Sequence, residues 1–89
     1  MANYIKVYSK KDLKSYNGCM YEFDKETQQM VKANGILRTV YPMSGVVQDE
    51  TPYQDGVLNG VQKVFDGSGS LWYENTWKDG VLVKFAYIN

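Results

Sequence analysis

The sequence predicts a mainly β protein: an antiparallel meander of repeated hairpins that forms a single-layer twisted sheet. Three observations carry this prediction. The chain of 89 residues holds eight Tyr, three Phe and two Trp, and aromatic residues favour strands. Turn signals recur at short intervals along the chain, and one sequence motif occurs twice. A chain of this length has room for one domain, so we assign residues 1–89 to a single domain.

Turn signals divide the chain from residue 34 onward into short segments. Asn-Gly and Asp-Gly pairs supply the positive φ that two-residue hairpin turns require. The signals are Asn34-Gly35, 42–45, Asp55-Gly56, 66–69 and Asp79-Gly80. The segments between them have the length of strands and are rich in Val, Tyr, Trp, Phe and Thr. They predict strands at 36–41, 46–53, 57–65, 70–77 and 81–88.

The phrase "ETPYQDGVL" at 50–58 returns as "ENTWKDGVL" at 74–82. We align Gly56 with Gly35 and Gly80 with Gly56, which places Phe65 on Tyr41 and leaves 59–61 as an insertion. A glycine inside a strand often marks a bulge or bend, so we expect one at 59–60. Repeats of this period indicate stacked supersecondary units.

The alignment predicts a repeat scaffold and a repeating core. The scaffold residues are Gly35, Tyr41, Gly45, Tyr53, Gly56, Gly60, Phe65, Gly69, Leu71, Trp77 and Gly80. The predicted core residues are Tyr41, Val47, Tyr53, Phe65, Leu71 and Trp77.

The N-terminal segment, residues 1–18, shows no match to the repeat. Residues 4–8 fit a strand. Ser9 as N-cap, Asp12 three residues later and Gly18 beyond the end indicate a short helix over 9–16, with an edge strand as the alternative. The hairpin repeats then occupy 19–89, beginning with 19–23 and 28–33 around a turn at 24–27.

Composition argues against several classes of partner and cofactor. Ten basic and ten acidic residues cancel, which removes the general electrostatic attraction to nucleic acid or an anionic membrane. There is no apolar run of about 18 residues and no signal-peptide pattern at the start. Cys19 is the single cysteine and His is absent, so we expect no metal, no cofactor and a cytoplasmic location.

Two kinds of side chain are candidates for catalysis. Glu50 and Glu74 occupy equivalent repeat positions and have the residue type of a general acid/base pair. No His or nucleophile accompanies them in the motif, so we interpret them as carboxylates that hold a turn or pair with a neighbouring Lys. Cys19 fits a small buried apolar position better than a reactive thiol. We therefore expect no catalytic residues and no enzymatic activity.

The repeat is similar to a known family. The stretches "YEFDKETQQMVKANGILRTVYPMSG", "ETPYQDGVLNGVQKVF" and "ENTWKDG" resemble the bacterial MORN-repeat variant of the YwqK-type antitoxin family, over about residues 20–88. Matching positions are Leu71, Glu74, Trp77 and Gly80 in one copy, and Val47, Glu50, Tyr53, Gly56 and Gly60 in another. "VFDGSG" and Trp77 depart from the family's tyrosines. The resemblance implies a meandering sheet used as a binding surface, and a small protein that neutralises a toxin by contact.

Surplus aromatic residues mark the predicted contact surface. Strict alternation along 70–77 places Trp72 and Tyr73 on opposite faces, so one of them is exposed. An exposed ring is a candidate anchor for a protein partner, and the alternative is packing against a Lys stem or 1–18. The predicted partner-binding residues are Trp72, Tyr73, Phe85 and Tyr87. The strand at 81–88, with Lys84 as its one charge, predicts self-association as a homodimer as the alternative function.

Overall fold

The computed structural model describes residues 6–88, which form two sheets of mostly antiparallel strands. The strands are β1 (Val7–Tyr8), β2 (Leu13–Tyr16), β3 (Cys19–Asp24), β4 (Gln29–Lys32), β5 (Gly35–Val40), β6 (Val47–Gln54), β7 (Val57–Leu58), β8 (Gly60–Phe65), β9 (Leu71–Lys78) and β10 (Val81–Tyr87). The large sheet has the order β1-β5-β6-β8-β9-β10, and β7 also pairs with β6. The small sheet is β2-β3-β4. The mainly β hairpin meander is confirmed, but it forms two sheets instead of a single layer.

The N-terminal segment contributes strands where a helix was predicted. Ser9 caps a single 3-10 turn at Lys10–Asp12, and its backbone N–H donates to the Asp12 carboxylate at 2.8 Å. Leu13 then begins β2, which buries its side chain against the other sheet. The helix over 9–16 was therefore wrong, and the edge-strand alternative is confirmed for 13–16. Residues 4 and 5 of the predicted first strand lie outside the described residues.

Three two-residue turns join hairpins: Asp55-Gly56 and Asp79-Gly80, as predicted, and Asn17-Gly18, where the sequence indicated the end of a helix. Both residues have positive φ in Asn17-Gly18, in Asp55-Gly56 and in Asp79-Gly80, which is the signature of a type I′ turn. The hairpin of β3 and β4 is also confirmed. Asn34-Gly35 is different, because it lies between β4 and β5 and makes no hairpin.

The large sheet contains two copies of one three-strand unit, β5–β6–β7 and β8–β9–β10. Gly35 lies opposite Tyr53 in the first copy, and Gly60 lies opposite Trp77 in the second. Gly60 is thus the counterpart of Gly35, and 59–61 is not an insertion. A register shift follows at the same place in both copies, with Val40 opposite Val47 and Phe65 opposite Leu71. Phe65 therefore corresponds to Val40, and its alignment with Tyr41 is corrected.

Hydrogen bonds between turns set this alignment. In the first copy, the Ala33 carbonyl accepts from the Gly56 N–H at 2.9 Å, and the Asn34 side-chain oxygen accepts from the Asp55 N–H at 2.9 Å. In the second copy, Leu58 accepts from Gly80 at 2.8 Å, and Asn59 accepts from Asp79 at 3.1 Å. The Asn of each Asn-Gly pair and the residue before it therefore accept hydrogen bonds from the next Asp-Gly turn, and the Asn-Gly pair does not form a turn itself. That requirement explains why the phrase recurs.

The buried core lies where the small sheet packs on β1, β5 and β6. Its apolar members are Tyr8, Leu13, Ala33 and Leu37, with Met20 and Tyr53 packed against them. No residue from 57 to 88 is buried. The six predicted core residues are all half-buried, so that prediction is corrected: Tyr41, Val47, Tyr53, Phe65, Leu71 and Trp77. The core needs a second layer, and residues 10–32 supply it over only one half of the large sheet.

A polar junction joins the two sheets at Tyr8. Its hydroxyl donates to the Glu22 carboxylate on β3 and accepts from the Asn34 N–H at 3.1 Å. The Lys6 ammonium pairs with the same carboxylate. Burial of the ring, followed by the hydrogen bond to Glu22, raises the pKa of Tyr8 above its ordinary value of 10.0. The junction therefore favours the neutral phenol.

A methyl group at Gly56 tests how closely the sheets approach. A Cβ there would lie 2.9 Å from the Met20 carbonyl oxygen, in addition to the strain of φ +82°. We expect Gly56→Ala to lower the free energy of unfolding by about 2–4 kcal/mol in urea denaturation, from left-handed strain plus overpacking.

Gly45→Ala is the matched control. Gly45 has a similar φ of +75°, but a Cβ there would meet nothing within 4 Å. We expect a loss of about 1–2 kcal/mol, the cost of left-handed strain alone. Equal losses in the two variants would show that the approach at Gly56 does not constrain the fold.

The raised pKa of Tyr8 predicts a loss of stability at high pH. The unfolded chain releases this proton near pH 10.0, whereas the folded chain holds it to higher pH. The free energy of unfolding should therefore fall as pH rises above 10.0 toward the folded-state pKa. Denaturation at a series of pH values, followed with tyrosinate absorbance, measures this.

Tyr8→Phe should remove part of that alkaline dependence and lower stability at neutral pH, because it deletes the contact with Glu22. The rest should persist, since burial also raises the pKa of Tyr53. An unchanged alkaline dependence in Tyr8→Phe would contradict this assignment.

Candidate protein-binding face

The four predicted contact residues come together on β9 and β10. Tyr73 lies opposite Tyr87 in the register of the two strands, and Phe85 lies opposite Asn75, so these side chains share one face. The Tyr73 ring lies 5.5 Å from the Phe85 ring and 5.2 Å from the Trp72 ring, between centroids. Exposed fractions are 41% for Trp72, 56% for Phe85 and 66% for Tyr87. We call Trp72, Tyr73, Phe85 and Tyr87 the aromatic face.

Trp72 joins this face because β9 is irregular at its start. Strict alternation would place it opposite to Tyr73. The register shifts here instead, since Leu71 pairs with Phe65 while Tyr73 pairs with Val64. This bulge leaves Trp72 without a partner residue on β8 and brings its ring edge-on to Tyr73 at an interplanar angle of 73°. The expectation that Trp72 and Tyr73 lie on opposite faces of the sheet is therefore wrong, because their rings contact each other.

A ladder of polar side chains connects the strands beside the aromatic face. Gln62 on β8 donates to the Thr51 hydroxyl at 3.0 Å. Its side-chain oxygen accepts from Asn75 at 3.1 Å and from the Trp77 indole at 2.9 Å. Thr51 is buried, so the ladder begins at the core. It holds Asn75, directly opposite Phe85, in one orientation relative to β6 and β8.

The opposite face of the same strands is charged. Arg38, Glu50, Lys63 and Glu74 lie in one row across β5, β6, β8 and β9. The Arg38 guanidinium pairs with Glu50 at 2.8 Å. Glu50 and Glu74 therefore flank a lysine, and the positions that resembled an acid/base pair lie in a row of alternating charges. The row of charges distinguishes this face from the aromatic face, where rings are exposed.

Sequence reasoning missed a second exposed apolar surface, on the outer side of the small sheet. Tyr16 is 66% exposed, Phe23 50% and Met30 45%, and the Tyr16 and Tyr21 rings meet edge to face at 6.3 Å. Phe23 lies opposite Met30 in the register of β3 and β4. The alternation of apolar residues in "CMYEF" was the available signal. Cys19, at the start of β3, is half-buried rather than buried, and it carries a free thiol.

Comparison with known proteins finds no matching family model, no matching curated protein and no matching solved structure. Across residues 6–88, no helix reaches the length and apolar character needed to cross a membrane. In the same part of the chain, no three His, Cys, Asp or Glu side chains converge in a way that would hold a metal ion.

Removing the centre of the polar ladder tests its role in the fold. Gln62→Ala leaves the Asn75 amide, the Trp77 indole and the Thr51 hydroxyl without this partner. We expect the free energy of unfolding to fall by about 1–3 kcal/mol, and the Trp77 indole N–H resonance to move upfield in NMR spectra.

Gln29→Ala is the control, because Gln29 is an exposed glutamine on β4. It should leave both the stability and the indole resonance unchanged. A Gln62→Ala variant as stable as the wild type would show that the ladder is not a structural tie.

Proposed function

We propose that this protein is a non-enzymatic binding module that acts in the cytoplasm by covering the surface of another protein with its aromatic face. The exposed ring cluster on β9 and β10 is the observation that carries the proposal. Large aromatic side chains near the centre of a contact surface supply most of the binding energy in protein interfaces. Within residues 6–88, the rings of Trp72, Phe85 and Tyr87 are exposed to solvent and Tyr73 is half-buried.

Order within the face supports this function. The Tyr73 ring contacts the rings of Trp72 and Phe85, and the ladder at Gln62 ties β9 to β8 beside them. A pre-ordered surface loses less conformational entropy on binding than a flexible loop. The charged row lies on the reverse of the sheet, so the exposed aromatic rings of β9 and β10 are concentrated on one side.

The resemblance to the MORN-repeat, YwqK-type antitoxin family makes the proposal more specific. By that analogy the partner is a bacterial toxin, and the mechanism is steric cover of the toxin's active surface. The assignment of a toxin as the partner is based on the repeated sequence motif and its spacing rather than on the aromatic face itself.

Co-expression with the product of the adjacent open reading frame tests the antitoxin element. We expect that product to arrest growth when expressed alone, to be tolerated with this protein, and to co-purify with it. A harmless neighbour that does not co-purify would remove the support for the antitoxin assignment.

Phe85→Ala tests the face itself once a complex is in hand. Phe85 lies at the open side of the ring cluster, so truncation removes contact area without opening the buried core. We expect the dissociation constant to rise about 30-fold, as for a hot-spot residue worth about 2 kcal/mol. Isothermal titration calorimetry measures the change.

Phe23→Ala is the matched control, since Phe23 has the same side chain and a similar exposure of 50% but lies on the small sheet. It should bind as the wild type does. If Phe23→Ala weakens binding and Phe85→Ala does not, the contact surface is the small sheet and the aromatic face is excluded.

A further inference from the structure

Within residues 6–88, the strand β10 forms an open edge of the large sheet. The other edge strands among the described residues are short: β1 and β7 have two residues each, and β2 and β4 have four each. By contrast, β10 has seven residues, and one of them, Lys84, is charged. Natural proteins usually protect an edge this long and apolar with charges, prolines or bulges. Here a bulge lies between Leu82 and Lys84, so it disturbs the first half and leaves 84–88 regular.

The hydrogen bonds of β10 show which backbone groups face outward. The Ile88 N–H donates to the Trp72 carbonyl on β9 at 2.8 Å. Bonding direction alternates along an antiparallel strand, so Ala86 and Lys84 also direct their backbone groups toward β9. Phe85 and Tyr87 therefore direct their N–H and C=O groups toward the open side. These are four strong hydrogen-bonding groups in a row of apolar side chains.

We propose that β10 pairs antiparallel with β10 of a second copy of this chain, about a two-fold axis at Ala86. Phe85 of each copy then exchanges two hydrogen bonds with Tyr87 of the other, which uses all four outward groups. The interface is isologous, as in most homodimers. This pairing uses the strand edge, and it does not depend on the aromatic face binding another protein.

The residues of β10 favour its own copy in this register. Ala86, the small residue, meets itself on the axis without crowding. Lys84 lies opposite Ile88 of the second copy, so like charges are not directly opposed. An axis at Lys84 would oppose the two lysines. An axis at Phe85 would place the bulged Val83 opposite Tyr87, where the regular pairing is interrupted.

The pairing would extend the aromatic face across both copies. Phe85 and Tyr87 become cross-strand neighbours on the side that already carries Tyr73. The interface spans about five residues per copy, far below the 20–30 of a stable interface, so the dimer should be weak and concentration-dependent. Two copies on one sheet then present the rings of both chains on one side.

Amide hydrogen exchange on the wild-type chain tests the proposal without any substitution. In dilute protein, we expect the amides of Lys84 and Ala86 to be protected and those of Phe85 and Tyr87 to exchange freely. In concentrated protein, Phe85 and Tyr87 should become protected while light scattering shows the mass rising toward twice the 10.2 kDa of one chain. A monomer at every concentration overturns the proposal, and so does a dimer that leaves these two amides exposed.

Variants at one position separate the backbone bond from the ring. Phe85→Pro removes the outward N–H while keeping the bonds to β9, a place where edge strands tolerate proline. Phe85→Ala removes the ring and keeps the N–H. We expect Phe85→Pro to abolish the dimer and Phe85→Ala to weaken it several-fold, with circular dichroism confirming that both are folded.

Equal dimerisation by Phe85→Pro and Phe85→Ala would overturn strand pairing, because the backbone donor would then contribute nothing. If Phe85→Pro does not fold, Tyr87→Pro against Tyr87→Ala makes the same comparison at the other outward donor.

Discussion

Gly56 makes the two hydrogen bonds on which the rest of the fold depends. Its N–H donates to Ala33, which stacks the first Asp-Gly turn on the chain before β5. Its carbonyl accepts from the Met20 N–H at 2.8 Å, which fixes the small sheet against the large one. Among the described residues, the equivalent Gly80 makes only the first kind of contact, to Leu58, and a Cβ on it would meet nothing closer than 3.9 Å. Sheet docking is therefore an additional use of a turn that the repeat already requires.

Local features of the fold could be predicted from the sequence, and non-local ones could not. Asp55-Gly56 and Asp79-Gly80 form type I′ turns because the dipeptides themselves favour positive φ, so neighbouring residues decide the outcome. Asn34-Gly35 has the same signal, but the Asn34 side chain accepts a hydrogen bond from the turn residue Asp55, 21 positions later. Nothing in the dipeptide distinguishes a turn from the acceptor of a turn, which is why the repeat alignment failed between 59 and 65.

In the core and in the candidate site, too, the local features could be predicted and the features that depend on distant contacts could not. Residue type and strand position selected Phe85 and Tyr87 as candidate contact residues, and both are exposed. The contact between Tyr73 and Trp72 could not be predicted, because it arises from a bulge in the pairing of β9 with β8. The ladder centred on Gln62 could not be predicted either, because it requires β6, β8 and β9 in register. Leu13 entered the core through a second sheet whose docking involves contacts distant in sequence. Periodicity identifies which residues are apolar, but pairing decides what covers them.

The exposed half of the large sheet remains ordered because it continues a buried half. The core around Leu37 stabilises β5 and β6, and strand pairing transmits that order to β8 and then to β9, as neighbouring units do in repeat proteins. The second unit thus keeps its rings in solvent without a second layer of its own. Its stability comes from one side only, so any molecule that covers the aromatic face or the β10 edge adds contacts that the isolated chain lacks. If the proposed contacts form, binding should therefore stabilise β9 and β10 more than the half near the core.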